Sequence, residues 1–489
     1  MDHLERATLA VIGGLLAWQI LLPPVTGLSN NGDFGKVCGV FDLGAPGSEF
    51  RWAATAYRIG PEYHWWAHFY TSEILLASGA VAANRVLSKT PTFDIRFMGV
   101  VHGGLYLLGL ALLLPLLRGL PGRRRALLAA LLAAIACDAV YLLAFNSFYA
   151  DAGAHVFFVL GTALFLRVLR SDRPLEFAGF LLCSVLFLGA KAQHAALGAP
   201  LAALAGYELA RRGRRLRAAV AAAAALAASW FSLATPPHSY KVSGVYSTVF
   251  FFLLPSSSDV GLDLAALGLD DSYRRFIGTH GYSPGGGMGD PQFEQRFGKR
   301  ATYARLGRYY LTHPARAWAV LRAALDEGGR IRPAGGNFDP ASGMPPDSES
   351  RAWSLWSGWK RRLFHQHGLR YLWCSLGLAA IFLYAARRAG HGALGLGLAS
   401  MALVELGVST LADVLDPVRH LLLFSALFDA MAIGAVACLL APAPASSRRP
   451  PRSVPWSGPP PGRTLPAGAG KGSGARSPAS DRDRPTPSG

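Results

Sequence analysis

Charge is scarce in this sequence, and acidic charge scarcer still. Of 489 residues only 16% are charged, and 30 acids stand against 48 bases, for a formal net charge of +18. Ordinary soluble domains carry about a quarter charged residues, so this scarcity, together with 51% hydrophobic residues, excludes a conventional water-exposed surface. Lysine is nearly missing: seven lysines leave 41 arginines, which with abundant Ala and Gly fits a GC-rich bacterial genome. Of only five cysteines, Cys137, Cys183, Cys374 and Cys438 fall in apolar segments and Cys38 in a predicted loop, so no disulfide or metal framework can be drawn. No internal repeat of the kind found in many secondary transporters is visible. No small-residue cleavage site follows the first apolar helix, predicted from about Thr8 to Leu22, which reads as a retained anchor.

What the sequence has in quantity is apolar runs near the ~20 residues that cross a bilayer. Ten occur, at about 6–25, 94–117, 125–145, 151–169, 175–190, 194–210, 216–234, 370–387, 392–411 and 419–441. The expected fold is therefore an all-α integral membrane protein of about ten transmembrane helices. Arginines sort the loops between them. Arg118, Arg123, Arg124 and Arg125 share one; Arg167, Arg170 and Arg173 a second; Arg211, Arg212, Arg214, Arg215 and Arg217 a third; Arg387 and Arg388 a fourth. The positive-inside rule makes these four cytoplasmic. The alternate connections, 146–150, 191–193, 235–369 and 412–418, are then external. Basic residues lie in short clusters between apolar runs and not along one exposed face, so nucleic acid is not an expected partner, whereas the lipid bilayer is.

Four regions follow. Residues 1–234 form an N-terminal transmembrane bundle with an external loop at 27–93, 235–369 an external region, 370–441 the C-terminal transmembrane helices, and 442–489 a disordered cytoplasmic tail of net charge +6. Both external regions are expected to hold short helices, such as Glu294–Leu311 and Pro314–Leu325 in the second. The segment Trp65–Val86 begins with an aromatic cluster and reads as a re-entrant or interfacial helix. Trp353, Trp356 and Trp359, spaced by three, read as a helix on the membrane surface or a sugar platform.

Polar groups recur at the external ends of the runs: Asn31-Gly32-Asp33 after the first, Asn146 to Asp151 after the third, Lys191-Ala192-Gln193-His194 after the fifth, and Asp413 to His420 before the last. Ionisable groups at membrane depth are costly unless paired or facing a cavity, so four such clusters on one side imply a shared polar cavity. Bland readings stand beside each. Gly32-Asp33 is also a turn signal, Arg419 and His420 could be interfacial anchors or pair with Asp413 and Asp416, Lys191 could snorkel, and Asp151 and His155 at i, i+4 could pair along a helix. Asp138 and Glu405, inside apolar runs, are expected to make interhelical hydrogen bonds.

The sequence Asn31-Gly32-Asp33-Phe34-Gly35, then Asn146-Ser147-Phe148-Tyr149, Lys191-x-Gln193-His194 and Asp416-Pro417-x-Arg419-His420-Leu421 resembles the bacterial glycan-biosynthesis hexose transferases. These belong to the polytopic GT-C type glycosyltransferases that use polyprenyl-phosphate sugars. The likeness runs from about residue 5 to 440. It implies a GT-C-like fold in the bacterial cytoplasmic membrane, with an active site on the external face and a polyprenyl-phosphate sugar and an acceptor glycan as partners. It also implies transfer of a hexose by inverting displacement, with Asp33 as the base. Arg419, His420, Lys191 and His194 become the donor-phosphate ligands, and Asn31, Asn146, Tyr149, Gln193 and Asp416 line the acceptor side or the cavity. Many relatives of that type carry two adjacent acids in the first loop, whereas here Asp33 stands alone, with Asp42 and Glu49 further on. Mg²⁺ or Mn²⁺ would need Asp151, Asp413 or Asp416 brought beside it, and the metal stays unknown. Competing functions are a polymerase or ligase of lipid-linked oligosaccharides, and a lipid-headgroup transporter.

Overall fold

A computed structural model describes residues 1–44, 50–64, 69–88, 90–412 and 414–441. Helix α1 (His3–Leu21) begins at a capping box, in which Asp2 accepts from the Glu5 amide and Glu5 from the Asp2 amide. The loop after it holds α2 (Gly35–Cys38), α3 (Glu73–Leu87) and three short strands, β1 (Leu43–Gly44), β2 (Ala56–Ile59) and β3 (Thr92–Asp94). The strands form an antiparallel sheet in the order β1-β2-β3, with Tyr57 opposite Phe93. Then follow α4 (Arg96–Leu113), α5 (Gly122–Ala136), α6 (Ala139–Leu142), α7 (Ala150–Arg170), α8 (Pro174–Leu188), α9 (Gly198–Ala210) and α10 (Arg215–Ala234). Residues 235–369 hold α11 (His238–Ser247), α12 (Val260–Ala266), α13 (Pro291–Arg300), α14 (Tyr303–Thr312), α15 (Pro314–Gly328) and α16 (Leu355–Phe364). Helices α17 (Gly368–Arg388), α18 (Gly392–Leu411), α19 (Pro417–His420) and α20 (Leu422–Leu440) complete the described chain.

The protein is an α-helical, multi-pass membrane protein, and fewer than the ten expected helices are long and apolar enough to cross among the described residues. Among the described residues seven segments are long and apolar enough to cross: α1, Arg96–Gly119, α7, α10, α17, α18 and Pro417–Leu440. Counting the pair Gly122–Ala136 and Ala139–Asn146, bent by 46°, as one span makes eight. The bend has a chemical cause. Asp138 turns its carboxylate onto the Val140 and Ser357 amides, so the run at 125–145 is interrupted by a helix cap. The runs at 175–190 and 194–210 give the 15-residue α8 and the 13-residue α9, with a 3₁₀ turn at Ala192–Leu197 between them. At 1.5 Å per residue these helices rise about 22 and 20 Å, short of a ~30 Å hydrocarbon core.

Other expectations shift in detail. The segment Glu294–Leu311 is two helices, because Thr302 accepts from the Arg305 amide and starts α14 anew. The Pro314–Leu325 helix is present as α15. Helix α3 occupies Glu73–Leu87, while Trp65–His68 lie outside the described residues, as do Asp413, Glu49 and the tail at 442–489. The three tryptophans do not share a helix: Trp353 precedes α16 with φ +43°, and its indole N–H donates to the Ala134 carbonyl at 3.0 Å. Trp356 and Trp359 stack on each other at 5.1 Å. Helices α11 to α15 keep their own apolar core around Tyr246, Phe250, Phe293 and Phe297, and Val414 joins that core, tying it to the turn before α19.

Arginine loops stitch one pole of the bundle. Arg118 and Arg125 hold the buried Glu5 at 2.7 and 2.6 Å, Arg124 donates to the Leu440 carbonyl at the end of α20, and Arg170 to the Leu116 carbonyl. Arg167 binds Glu176, and Arg217 binds Asp172. This is the pole where α1 starts and α7 and α20 end. In the bundle interior, the fully buried Lys360 of α16 binds Asp429 of α20 at 2.9 Å and Ser425 at 2.6 Å, and the Tyr141 hydroxyl donates to the same carboxylate. Breaking a buried ion pair by removing one partner costs about 3–5 kcal/mol, while replacing both partners by apolar groups costs far less. Asp429→Ala is therefore expected to lower the thermal midpoint of the purified protein strongly, and Lys360→Met with Asp429→Leu to recover most of it. An Asp429→Ala midpoint equal to wild type would remove this pair as the lock on α16.

Candidate functional site

The opposite pole is organised by side chains that fix the ends of α1, α7, α8 and α20 against each other. The Asn146 amide donates to the carbonyls of Ile20 and Thr26 at 2.8 and 2.7 Å, pinning the chain after α1 to the break before α7. That approach leaves no room for a side chain at residue 27: a Cβ on Gly27 would lie 2.5 Å from the Asn146 carbonyl oxygen. An aromatic wedge continues the joint. Phe34 packs edge-on against Phe148 and Tyr149 at 5.6 and 4.6 Å, and Phe148 meets Tyr57 and Phe93 of the small sheet at 5.2 and 5.7 Å. Asn31 receives the Asp33 amide on its side-chain oxygen, and Gly32 takes φ +104°, a conformation that favours glycine. The turn reading of Gly32-Asp33 is correct, and the turn is what aims the Asp33 carboxylate.

Three carboxylates converge on one guanidinium. Arg419 reaches Asp33 at 2.6 Å, Asp416 at 3.0 Å and Asp151 at 3.2 Å, each through a different nitrogen, and lies over the Tyr149 ring at 4.7 Å. Lys191 adds a second cation on Asp151 at 3.2 Å, and Lys36 a third on Asp33 at 2.6 Å. Arg419 is 5% exposed and Lys191 7%, so both act where water does not screen them. Burial by itself would raise the Asp33 carboxyl, but Arg419 and Lys36 outweigh it and hold that carboxyl well below the usual carboxylate range. The same contest, with Arg419 and His420 opposing burial, lowers Asp416.

Asp33, Asp151, Lys191, Arg419 and Tyr149 line one small pocket, together with Lys36, Phe69 and Tyr240. The remaining sequence-selected residues support this pocket from behind. Asn31 donates to Asp416 at 3.2 Å, and its amide meets the Tyr149 hydroxyl at 3.0 Å. The Gln193 amide nitrogen contacts Glu405, Ser409 and the His420 carbonyl at 2.5, 2.7 and 2.9 Å, joining α18 to the turn of α19. His194 is fully buried 3.7 Å from Glu405, and neither it nor the buried His420 lines the pocket. Asp151 and His155 do not pair: Asp151 faces the two cations, and the His155 ring stacks on Tyr141 at 4.5 Å. Sequence reasoning passed over Lys36, Phe69 and Tyr240. The i, i+3 spacing of Asp33 and Lys36 was the one available signal for the first, whereas Tyr240 arrives from α11, far away in sequence.

The donor set does not suit a divalent cation. Asp33, Asp151 and Asp416 are each committed to a cationic side chain, and Arg419 stands at the point where their carboxylates meet. Among the described residues no group of three His, Cys, Asp or Glu is arranged to hold a metal ion.

Two outcomes are expected. Arg419→Ala leaves three carboxylates without their common cation and costs about 3–5 kcal/mol, read as a lowered thermal midpoint, and Arg419→Lys restores only part because an ammonium has no fork. Groups whose carboxyls are lowered contribute stability that is complete above the unfolded value, roughly pH 4, and is lost as pH falls further. The stability difference between wild type and Asp33→Asn is therefore expected to be equal at pH 7 and pH 5; a difference that shrinks over that interval would contradict the ion pairing of Asp33.

No curated protein matches the chain. The archaeal oligosaccharyltransferase AglB from Archaeoglobus fulgidus, solved in complex with an inhibitory peptide and a dolichol-phosphate, is similar to it at 14% sequence identity with a TM-score of 0.40. That match covers 90% of this chain and 50% of the archaeal one, so the chain spans about half the length of that enzyme. Residues 2–453 match the family model described as the YfdI N-terminal transmembrane domain, and the chain belongs to that family.

Proposed function

We propose that the protein is an integral-membrane glycosyltransferase that moves a hexose from a polyprenyl phosphate to an acceptor glycan at the outer face of the bacterial cytoplasmic membrane. The observation that carries this reading is the buried convergence of Asp33, Asp151 and Asp416 on Arg419, with Lys191 alongside, at the pole away from the arginine loops. A buried cation pair beside a carboxylate suits a reaction in which phosphate leaves one face of a carbon while a hydroxyl loses its proton at the other. The acceptor oxygen attacks the anomeric carbon, and its proton passes to Asp33. The bond from that carbon to the phosphate oxygen breaks, and polyprenyl phosphate departs with the electron pair. A single displacement of this kind inverts the configuration.

Each residue then has a physical task. Arg419 presents a planar fork to the phosphate and Lys191 a point charge, and both meet negative charge that grows as the bond breaks. Asp33 in the free site is a weak base, because Arg419 binds its ionised form. Phosphate competing for that guanidinium loosens this grip and raises the basicity of Asp33 when the donor is bound. Asp416 and Asp151 keep Arg419 oriented, and Gln193, Asn31 and Asn146 hold the backbone that carries these groups. His194 and His420 sit behind the pocket and act through Arg419 and Lys191 and not on the phosphate itself.

Reconstituted protein supplied with radiolabelled polyprenyl-phosphate hexose tests the reading. A positioned general base contributes about 10²–10⁴-fold, so Asp33→Asn is expected to lower kcat by that order without weakening donor binding. Equal turnover by Asp33→Asn would remove it as the base. Absence of turnover by wild type with every monophosphate donor, combined with movement of lipid-linked sugar across the bilayer, would favour the transporter.

A further inference from the structure

Three cations border the pocket, and they are not equally free to take up a ligand. Arg419 spends each of its three nitrogens on a different carboxylate, with the Tyr149 ring against its face. Moving it would strip Asp33, Asp151 and Asp416 together. Lys191 sits deeper, on Asp151. Lys36 is different. Among the described residues its hydrogen-bond acceptor is Asp33 alone, and the rest of its ammonium faces the rings of Phe69 and Tyr240, 4.8 and 4.6 Å to the ring centres. The two rings pack edge to face at 5.1 Å. Aromatic faces attract a cation without accepting a directed hydrogen bond, so among the described residues two of the three N–H donors of Lys36 have no acceptor. Burial pulls the Lys36 ammonium below its ordinary range, against the opposing pull of Asp33, and a second anion would be stabilising there.

Charge counting points the same way. Asp33, Asp151 and Asp416 balance Lys36, Lys191 and Arg419, so the ion cluster around the pocket is neutral as it stands. A sugar phosphodiester brings one further negative charge into a poorly screened space, and a cation must turn from its carboxylate to receive it. Lys36 gives up one contact to do so, on a flexible four-carbon stem anchored in α2, one turn beyond Asp33. Its aromatic clamp keeps the ammonium at the pocket while the partner changes.

We infer that Lys36 is a further anion-binding residue of this site, exchanging the Asp33 carboxylate for the phosphate of a polyprenyl-phosphate sugar while Phe69 and Tyr240 hold it at the pocket. The availability of Lys36 for an anion rests on the geometry. The identity of that anion as a lipid phosphate, and the consequence that the phosphate releases Asp33 to act as a base, rest on the glycosyl-transfer reading above.

Equilibrium binding of radiolabelled polyprenyl phosphate to the full chain in lipid nanodiscs tests this, with the polyprenyl alcohol as the control that lacks the anion. Wild type is expected to prefer the phosphate. Lys36→Gln is expected to bind it at least tenfold more weakly with the alcohol unaffected, and Lys36→Arg to stay within threefold of wild type. Phe69→Leu, which leaves every charge in place, is expected to weaken phosphate binding less than Lys36→Gln. Asp33→Asn, which removes the competing carboxylate, is expected to tighten it. Opposite signs for Lys36→Gln and Asp33→Asn separate ligand exchange from damage to the fold, which would weaken both. Unchanged affinity in Lys36→Gln, with Asp33→Asn still tighter, overturns the role of Lys36 and leaves the proposed function standing. A wild type that does not distinguish phosphate from alcohol overturns both.

Discussion

A guanidinium buried among three carboxylates is the interaction on which this pole of the protein depends. Arg419 is reached from the loop after α1, from the start of α7 and from the turn before α19, so one side chain fixes three segments that are distant in sequence. Desolvating four charges is expensive, and the cost is offset only because each carboxylate has a cation at hydrogen-bond distance and Arg419 has an acceptor on every nitrogen. Removal of Arg419 leaves the buried Asp151 and the half-buried Asp33 and Asp416 without their common cation. The same arrangement explains how a strongly ionised Asp33 can sit beside a reacting centre: its basicity is set by how firmly its cations are engaged elsewhere.

Around this centre the rest of the fold is support. Asn146 and the Phe34–Phe148–Tyr149 wedge press the loop carrying Asp33 against the start of α7, and the small sheet braces Phe148 from the other side. Gln193 ties the 3₁₀ turn behind Lys191 to α18 and to the turn bearing Arg419. Tyr240 brings α11 to the pocket, and Val414 fastens the core of α11 to α15 to the same turn. Fourteen of the arginines stand in the loops of the far pole, where Glu5, Glu176 and helix-end carbonyls use several of them.

The sequence made the membrane class, the two poles and the main charged residues of the pocket legible, because each is a one-dimensional signal: apolar runs, arginine loops, and polar clusters at run ends. Span count was less legible. After Arg125 the run at 125–145 is apolar except for Asp138, and a single carboxylate capping Val140 and Ser357 is enough to bend it. Runs 175–190 and 194–210 contain enough apolar residues for spans but fold as shorter helices on either side of the Lys191 turn. Asp151 looked like an i, i+4 partner of His155, yet its partners come from other helices, which spacing cannot report. The same holds for Lys360 and Asp429, 69 residues apart, and for Phe69 and Tyr240 around Lys36.

The account stands or falls on where a lipid phosphate sits. The most direct measurement is an experimental structure of the full chain with polyprenyl phosphate bound in nanodiscs. The account predicts the phosphate within hydrogen-bond distance of Arg419 and Lys191, in the pocket walled by Phe69, Tyr149 and Tyr240. A phosphate seated elsewhere, with Arg419 still closed on Asp33, Asp151 and Asp416, would contradict it.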